Sequence, residues 1–246
     1  YLLVCALIDL DHTIIPDELT KPMQWAAPAL AVAAGVNLSL FPFSGEWIHQ
    51  VNVFHEVRLT PDRFRLWVGV VGAVGIAATL LLLPLAAVLN RHLPEDQRWC
   101  EADRRGFLIG TLCFALSVVP PLAAALLLAG AQPAPAVALA QAALGALAAW
   151  WVICLPGLVG TALLRKNAMG FGDAKFFAPL GALLGPVGAL IAFGLAVLSA
   201  TLAAVPLTLF GRAAAIPFGP SLALGAGIAL FVGGWVLARI LDFFAF

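Results

Sequence analysis

Two short acidic stretches hold the residues of this chain that could do chemistry. One is Met169-Gly170-Phe171-Gly172-Asp173-Ala174-Lys175, a polar island between two long apolar runs. A carboxylate so close to hydrocarbon is costly enough to need a partner, water or a function. Gly170 and Gly172 carry no Cβ, so backbone or an extended peptide can approach Asp173 closely. The other is DLDHTIIPDE, which packs Asp9, Asp11, Asp17, Glu18 and His12 into residues 9–18, with Pro16 disfavouring helix at Ile15. Taken singly, each stretch also reads as a hydrophilic turn between membrane helices.

Together they offer a definite reaction. Two carboxylates brought within a few ångströms in a poorly solvated place cannot both ionise easily, so one keeps its proton while the other is a base near neutral pH. Such a pair activates water: the carboxylate takes a proton as the water attacks a peptide carbonyl. The protonated partner hydrogen-bonds the carbonyl oxygen and later helps the leaving amine depart. The two groups titrate jointly, so neither Asp9 nor Asp173 is assigned the acid or the base role. No GxSxG, HExxH or P-loop pattern offers a competing mechanism. Cys5, Cys100, Cys113 and Cys154 fall singly, without a CxxC pair, and His12, His49, His55 and His92 do not complete a zinc set with them. Neither a metal nor a cofactor is expected.

The elements that must position these acids are membrane helices. Hydrophobic residues make up 63% of the chain and charged ones 11%, with a mean hydropathy of +1.02, which sets it apart from soluble domains. Thirteen basic residues balance thirteen acidic ones, so net charge gives no sign of a nucleic-acid partner. Tyr1 to Ile8 is too short to cross a bilayer and reads as the last two turns of a helix delivering Asp9 to an interface. It has no basic flank of a signal peptide, so the chain is expected to begin partway through a longer protein. Residues 19–36 form a proline-interrupted segment about long enough to cross. Residues 66–89, 107–130, 137–163 and 217–238 are full spans, and 176–210, with Pro179, Gly181, Gly185, Pro186 and Gly188, divides into a short or re-entrant element and a full helix. The expected fold is therefore all-α, a polytopic transmembrane helix bundle of about seven to eight membrane segments forming one domain over 1–246. In the intervening 37–65 stretch, Trp47, Ile48, Val51, Phe54 and His55 recur at roughly helical spacing, which predicts a short extracytoplasmic helix lying on the interface. The mixed charges of 91–105 read as a solvated loop.

Basic residues orient the bundle. With Asp9 facing the cytoplasm, alternate crossings put Lys21, Arg91, Arg98, Arg104, Arg105, Arg165, Lys166, Lys175 and Arg212 inside, nine of the thirteen. Asp9 and Asp173 then reach the same membrane face, provided that 176–210 crosses twice.

At this point the residues carry a resemblance. ALIDLDHTIIPDELT resembles the first signature of the type IV prepilin peptidase family, and MGFGDAKFFAPLGALLG is similar to its second, a GxGD motif followed by Lys. IPFGPSLALGAGIALFVG (216–233) resembles that family's C-terminal helix, and the three occur in the family's order. The resemblance implies a multi-pass aspartic protease of the bacterial inner membrane, with its active site at the cytoplasmic face. Such enzymes remove the short basic leader from type IV prepilins and from the pseudopilins of type II secretion. It makes Asp9 and Asp173 the catalytic aspartates, Gly170 and Gly172 the glycines of the approach, Lys175 a supporting residue, and Pro16 with Asp17 the residues that order the turn after Asp9. The cysteine-bearing loop linked to N-methyltransferase activity in many members has no counterpart here, so that activity is not expected. More than 160 residues separate Asp9 from Asp173, more than is usual in the family, and the excess is read as an insertion over 91–160, a charged loop plus a helical hairpin. A small transporter or channel with acidic ion-binding sites is the reading from another class. An inactive protease-like scaffold is the third.

Overall fold

In the computed structural model the described residues, 2–12, 16–36, 60–131, 133–165, 170–209 and 218–244, build an all-helical bundle. Its α-helices are α1 (Leu2–His12), α2 (Asp17–Val36), α3 (Pro61–His92), α4 (Glu101–Leu128), α5 (Pro133–Leu164), α6 (Phe171–Leu209) and α7 (Gly219–Phe244), with one 3-10 turn at Glu95–Gln97. Four stretches, Pro61–His92, Asp103–Leu128, Pro135–Leu164 and Phe171–Val205, are long and apolar enough to cross a membrane. The chain is thus a multi-pass membrane protein in its architecture. The amphipathic helix expected around Trp47 to His55 lies outside the described residues.

Local chemistry moves several boundaries from where apolarity alone puts them. Helix α1 runs one turn past Asp9, so Asp9 sits inside a helix and not at its exit. Helix α3 begins at Pro61, whose fixed φ suits the first helical position. The charged loop is shorter than expected because Cys100 and Asp103 form a reciprocal capping box that starts α4 at Glu101, drawing Arg104 and Arg105 into its first turns.

Helix α5 is the hub. Ala136, Ala140, Ala142, Ala143, Ala146 and Ala149 are all buried on it, and this small-residue surface lets neighbouring backbones come close. The closest approach is at Gly145, where an added Cβ would meet the carbonyl oxygen of Gly181 and the backbone of Gly185. Phe114 of α4 stacks on Trp150 of α5 at 4.3 Å between ring centres.

Helix α6 folds back on itself. Phe177 and Phe193 would stand about 24 Å apart along a straight helix, yet their ring centroids are 6.5 Å apart. The reversal is at Gly185, whose backbone (φ 72°, ψ 174°) is outside the helical region. The division of 176–210 into a short element and a longer helix is therefore real, with the break at Gly185. Helix α7 packs on the returning half, its Gly225 against the backbone of Ala192 and Ala196, and α1 packs on α7. The start of α6, the start of α7 and the end of α1 consequently meet at one end of the bundle.

Candidate active site

Asp9 is anchored by a helix start. It is 5% exposed, and the amide of Gly219, first residue of α7, donates to its Oδ2 at 3.0 Å. The first amides of a helix have no partner within it and carry the positive end of the helix dipole, so this is a natural seat for a carboxylate. The fit excludes a side chain: a Cβ at Gly219 would lie 2.5 Å from Oδ2 of Asp9.

Asp173 occupies the third position of α6, half-buried, with its own N–H donating to the carbonyl of Gly170 at 3.1 Å. Its carboxylate folds back over Gly170, where an added Cβ would come 2.5 Å from Oδ2. Gly170 itself is exposed, so the carboxylate is approached from that side across a residue without a side chain. The stretch expected to be a loop is thus a helix start. Gly172, Asp173 and Lys175 are all in the first turns of α6. Asp9 lies close enough for its charge to act on Asp173. The structure therefore brings together at one end two carboxylates whose positions are 164 residues apart in the chain.

The supporting residues form a second connection beside the first. Pro16 precedes α2, and its carbonyl accepts from the amides of Leu19 and Thr20. Asp17, the first residue of α2, does more than order that turn. Its Oδ1 lies 2.8 Å from Nζ of Lys175 and its Oδ2 2.8 Å from Nζ of Lys21. Burial pushes the Asp17 carboxyl up, but the hydrogen bonds from Lys175 and Lys21 outweigh it and hold the group below the usual carboxylate range. The buried Lys175 chain passes Gly110 of α4, where a Cβ would stand 2.5 Å from Cε. One cation thus ties α2 to the turn that carries Asp173.

Three features of this end were not assigned from sequence. Gly219 stands in the apolar C-terminal stretch, and its signal was the Gly-Pro-Ser run with which a helix opens. Gly110 had none, because a glycine in an apolar span says nothing of which lysine will cross it. Trp99 and Phe107 hold Phe171 between them, with ring centroids 4.9 and 4.1 Å from it, and residue 99 was read as part of a solvated loop. The side chains of Asp11, His12 and Met169 lie outside the described residues. Among the described residues no three His, Cys, Asp or Glu side chains gather as a metal site would require.

Residues 111–209 match the family model described as the type IV leader peptidase family. The matched region runs from α4 through α5 to the end of α6 and includes Asp173 and Lys175, while Asp9, Asp17 and Gly219 lie outside it. No curated protein and no solved structure matches the chain. The family match supports the resemblance drawn from the three motifs.

Proposed function

We propose, on the premise of that type IV leader peptidase region, that this membrane protein is an aspartic endopeptidase in which Asp9 and Asp173 activate water as a pair. The observation that carries the reading is their convergence, one carboxylate seated on the amide of Gly219 and the other at the start of α6, within reach of the charge of Asp9. The pair holds one proton. The ionised member takes a proton from water as its oxygen attacks the scissile carbonyl, and the protonated member stabilises the developing oxyanion and then protonates the departing amine. The open flank at Gly170 admits an extended peptide, the conformation a backbone needs for its carbonyl to reach both acids.

The substrates of this reading are the basic leaders of type IV prepilins or pseudopilins, cut at the cytoplasmic face of the inner membrane without metal or cofactor. Lys175 and Asp17 hold the Asp173 turn in place, and Pro16 starts the helix that presents Asp17. Co-expression with a prepilin from the same genome tests it. Wild type should give a leader-sized mobility shift, and Asp9→Asn and Asp173→Asn should each abolish the shift while the protein accumulates in the membrane. Full cleavage by either variant refutes the assignment. Ion flux in liposomes without proteolysis would favour the transporter reading instead.

A further inference from the structure

A cleft of about 430 Å³ opens between the end of α3 and the start of α4, at the end of the bundle that carries Asp173. Its lining is graded. On α3, Leu83, Ala87 and Asn90 follow one another on one helix face, with Leu83 about 10 Å deeper in the bundle than Asn90. On α4, which runs the other way, Arg104 stands at the mouth and Leu108 one turn deeper. The rim carries Arg104, Arg105, Glu101 and the Asn90 amide, two bases against one acid; an apolar wall below and a net cationic, amide-bearing rim above is the profile of an amphiphile with an anionic head.

Among the described residues the charge at the rim is only partly neutralised. Arg105 is paired with Glu101, whereas Arg104, exposed, has no ion pair among the described residues. The Oδ1 of Asn90 accepts from the amide of Trp99 at 2.8 Å, which fixes the side chain and leaves its NH2 group free to donate. The two helices that form the cleft are both long and apolar enough to cross a membrane, so lipid can reach the cleft laterally. We infer that this cleft is a binding site for an anionic phospholipid, its phosphate held by Arg104 and Asn90 and an acyl chain lying along Leu83, Ala87 and Leu108. A zwitterionic lipid would bring its own cation to the arginine, and a basic peptide would be repelled by it. The inner wall of the cleft is Trp99 and Phe107, the two rings that hold Phe171, so a lipid bound there lies directly behind the helix turn bearing Asp173.

Binding is measured without reference to proteolysis. The purified full chain is exchanged into detergent with equal amounts of phosphatidylglycerol or phosphatidylcholine, and retained lipid is counted by native mass spectrometry. Wild type should retain phosphatidylglycerol in preference to phosphatidylcholine. Arg104→Gln should lose about fivefold in phosphatidylglycerol retention, the worth of one cation near an anionic surface. Arg104→Lys should restore much of it, and Ala87→Trp, which fills the cleft from an exposed position, should abolish it. Equal retention of both lipids, or unchanged retention in both Arg104→Gln and Ala87→Trp, overturns the site. So does displacement of the lipid by inorganic phosphate or by a basic leader peptide, which would mark it as an anion or a peptide site.

Discussion

Nζ of Lys175 lies 2.8 Å from Oδ1 of Asp17, joining the helix start that carries Asp173 to the helix that follows Asp9. The pair is lopsided: Lys175 is 8% exposed and has Asp17 as its carboxylate partner, while Asp17 is more open and also binds Lys21. Asp17→Ala therefore strands a buried ammonium and should cost about 2 kcal/mol, below the cost for a fully buried pair because Asp17 is partly solvated. Lys175→Met leaves Asp17 with Lys21 and should cost less, about 1 kcal/mol. Thermal unfolding in detergent, followed by tryptophan fluorescence, measures both, and a larger loss for Lys175→Met would contradict the geometry. The folded Asp17 carboxyl is held below its ordinary range, so its stabilisation is complete above about pH 4 and is lost as pH falls further. The gap between wild type and Asp17→Ala should accordingly narrow below that pH.

A pair that works through one shared proton fails as a unit. Asp9→Asn and Asp173→Asn should each lower cleavage by on the order of a thousandfold or more, and the double variant should be no worse than either. Asp11→Asn should keep activity within a few-fold of wild type, because the resemblance gives the catalytic role to Asp9. Activity should fall on both sides of an optimum pH, once the pair has lost its proton and once it has gained a second. Rate measurements on a synthetic leader-containing peptide check all of these, and additive losses in the double variant would mean that the two carboxylates act independently.

The helical, multi-pass architecture and the shared end of Asp9 and Asp173 were legible because hydropathy and acidic side chains amid hydrocarbon are strong signals. Even the reversal within 176–210 was foreshadowed by its glycines and prolines. Tertiary fit was not legible. Asp17 read as a turn residue because only the packing of α2 beside α4 and α6 shows that its oxygen reaches Lys175. Gly219 stood in a visible helix start but had no visible task, since a backbone amide has no sequence signature and its partner is 210 positions away. Trp99 and Arg104 were hidden by an average, as a run with four bases and four acids reads as solvated until the capping box at Cys100 folds its last five residues into a helix.

The two glycines against the carboxylates make a sharper test than their neighbours. Gly219→Ala puts a Cβ 2.5 Å from Oδ2 of buried Asp9 and must displace either the carboxylate or the start of α7. It should reduce kcat at least about tenfold, the loss of one preorganised hydrogen bond, with a smaller effect on KM. Gly170→Ala meets Oδ2 of Asp173 at the same distance, but that side chain is only half-buried and can turn away, so its loss should be smaller. Gly106→Ala is the control: nothing lies within 4 Å, and a helix-interior alanine should stabilise by up to about 1 kcal/mol without changing kcat. Equal kinetics for all three would remove the structural role of Gly219.

The hairpin in α6 separates backbone strain from crowding. At Gly185 a Cβ would meet little, the nearest atom being Oε1 of Gln141 at 3.8 Å, so room is not what requires glycine there. The backbone is, since φ 72° with ψ 174° is a region that side-chain-bearing residues scarcely enter. Gly185→Ala should therefore fold, at a cost of about 1–3 kcal/mol. Gly145→Ala faces the opposite problem: its own backbone is helical, but the new Cβ runs into the Gly181 carbonyl and the Gly185 backbone, which cannot rotate aside. It should be the more damaging of the two, driving α5 from α6 and lowering the yield of folded protein. Gly194→Ala, with nothing within 4 Å and on the lipid-facing side of the returning half, should be neutral or slightly stabilising. Unfolding temperatures falling in the order Gly194→Ala, Gly185→Ala, Gly145→Ala would bear this out. A harmless Gly185→Ala would mean that α6 does not reverse at that residue, and with it Asp173 and the start of α7 would lose the geometry that puts them at one end.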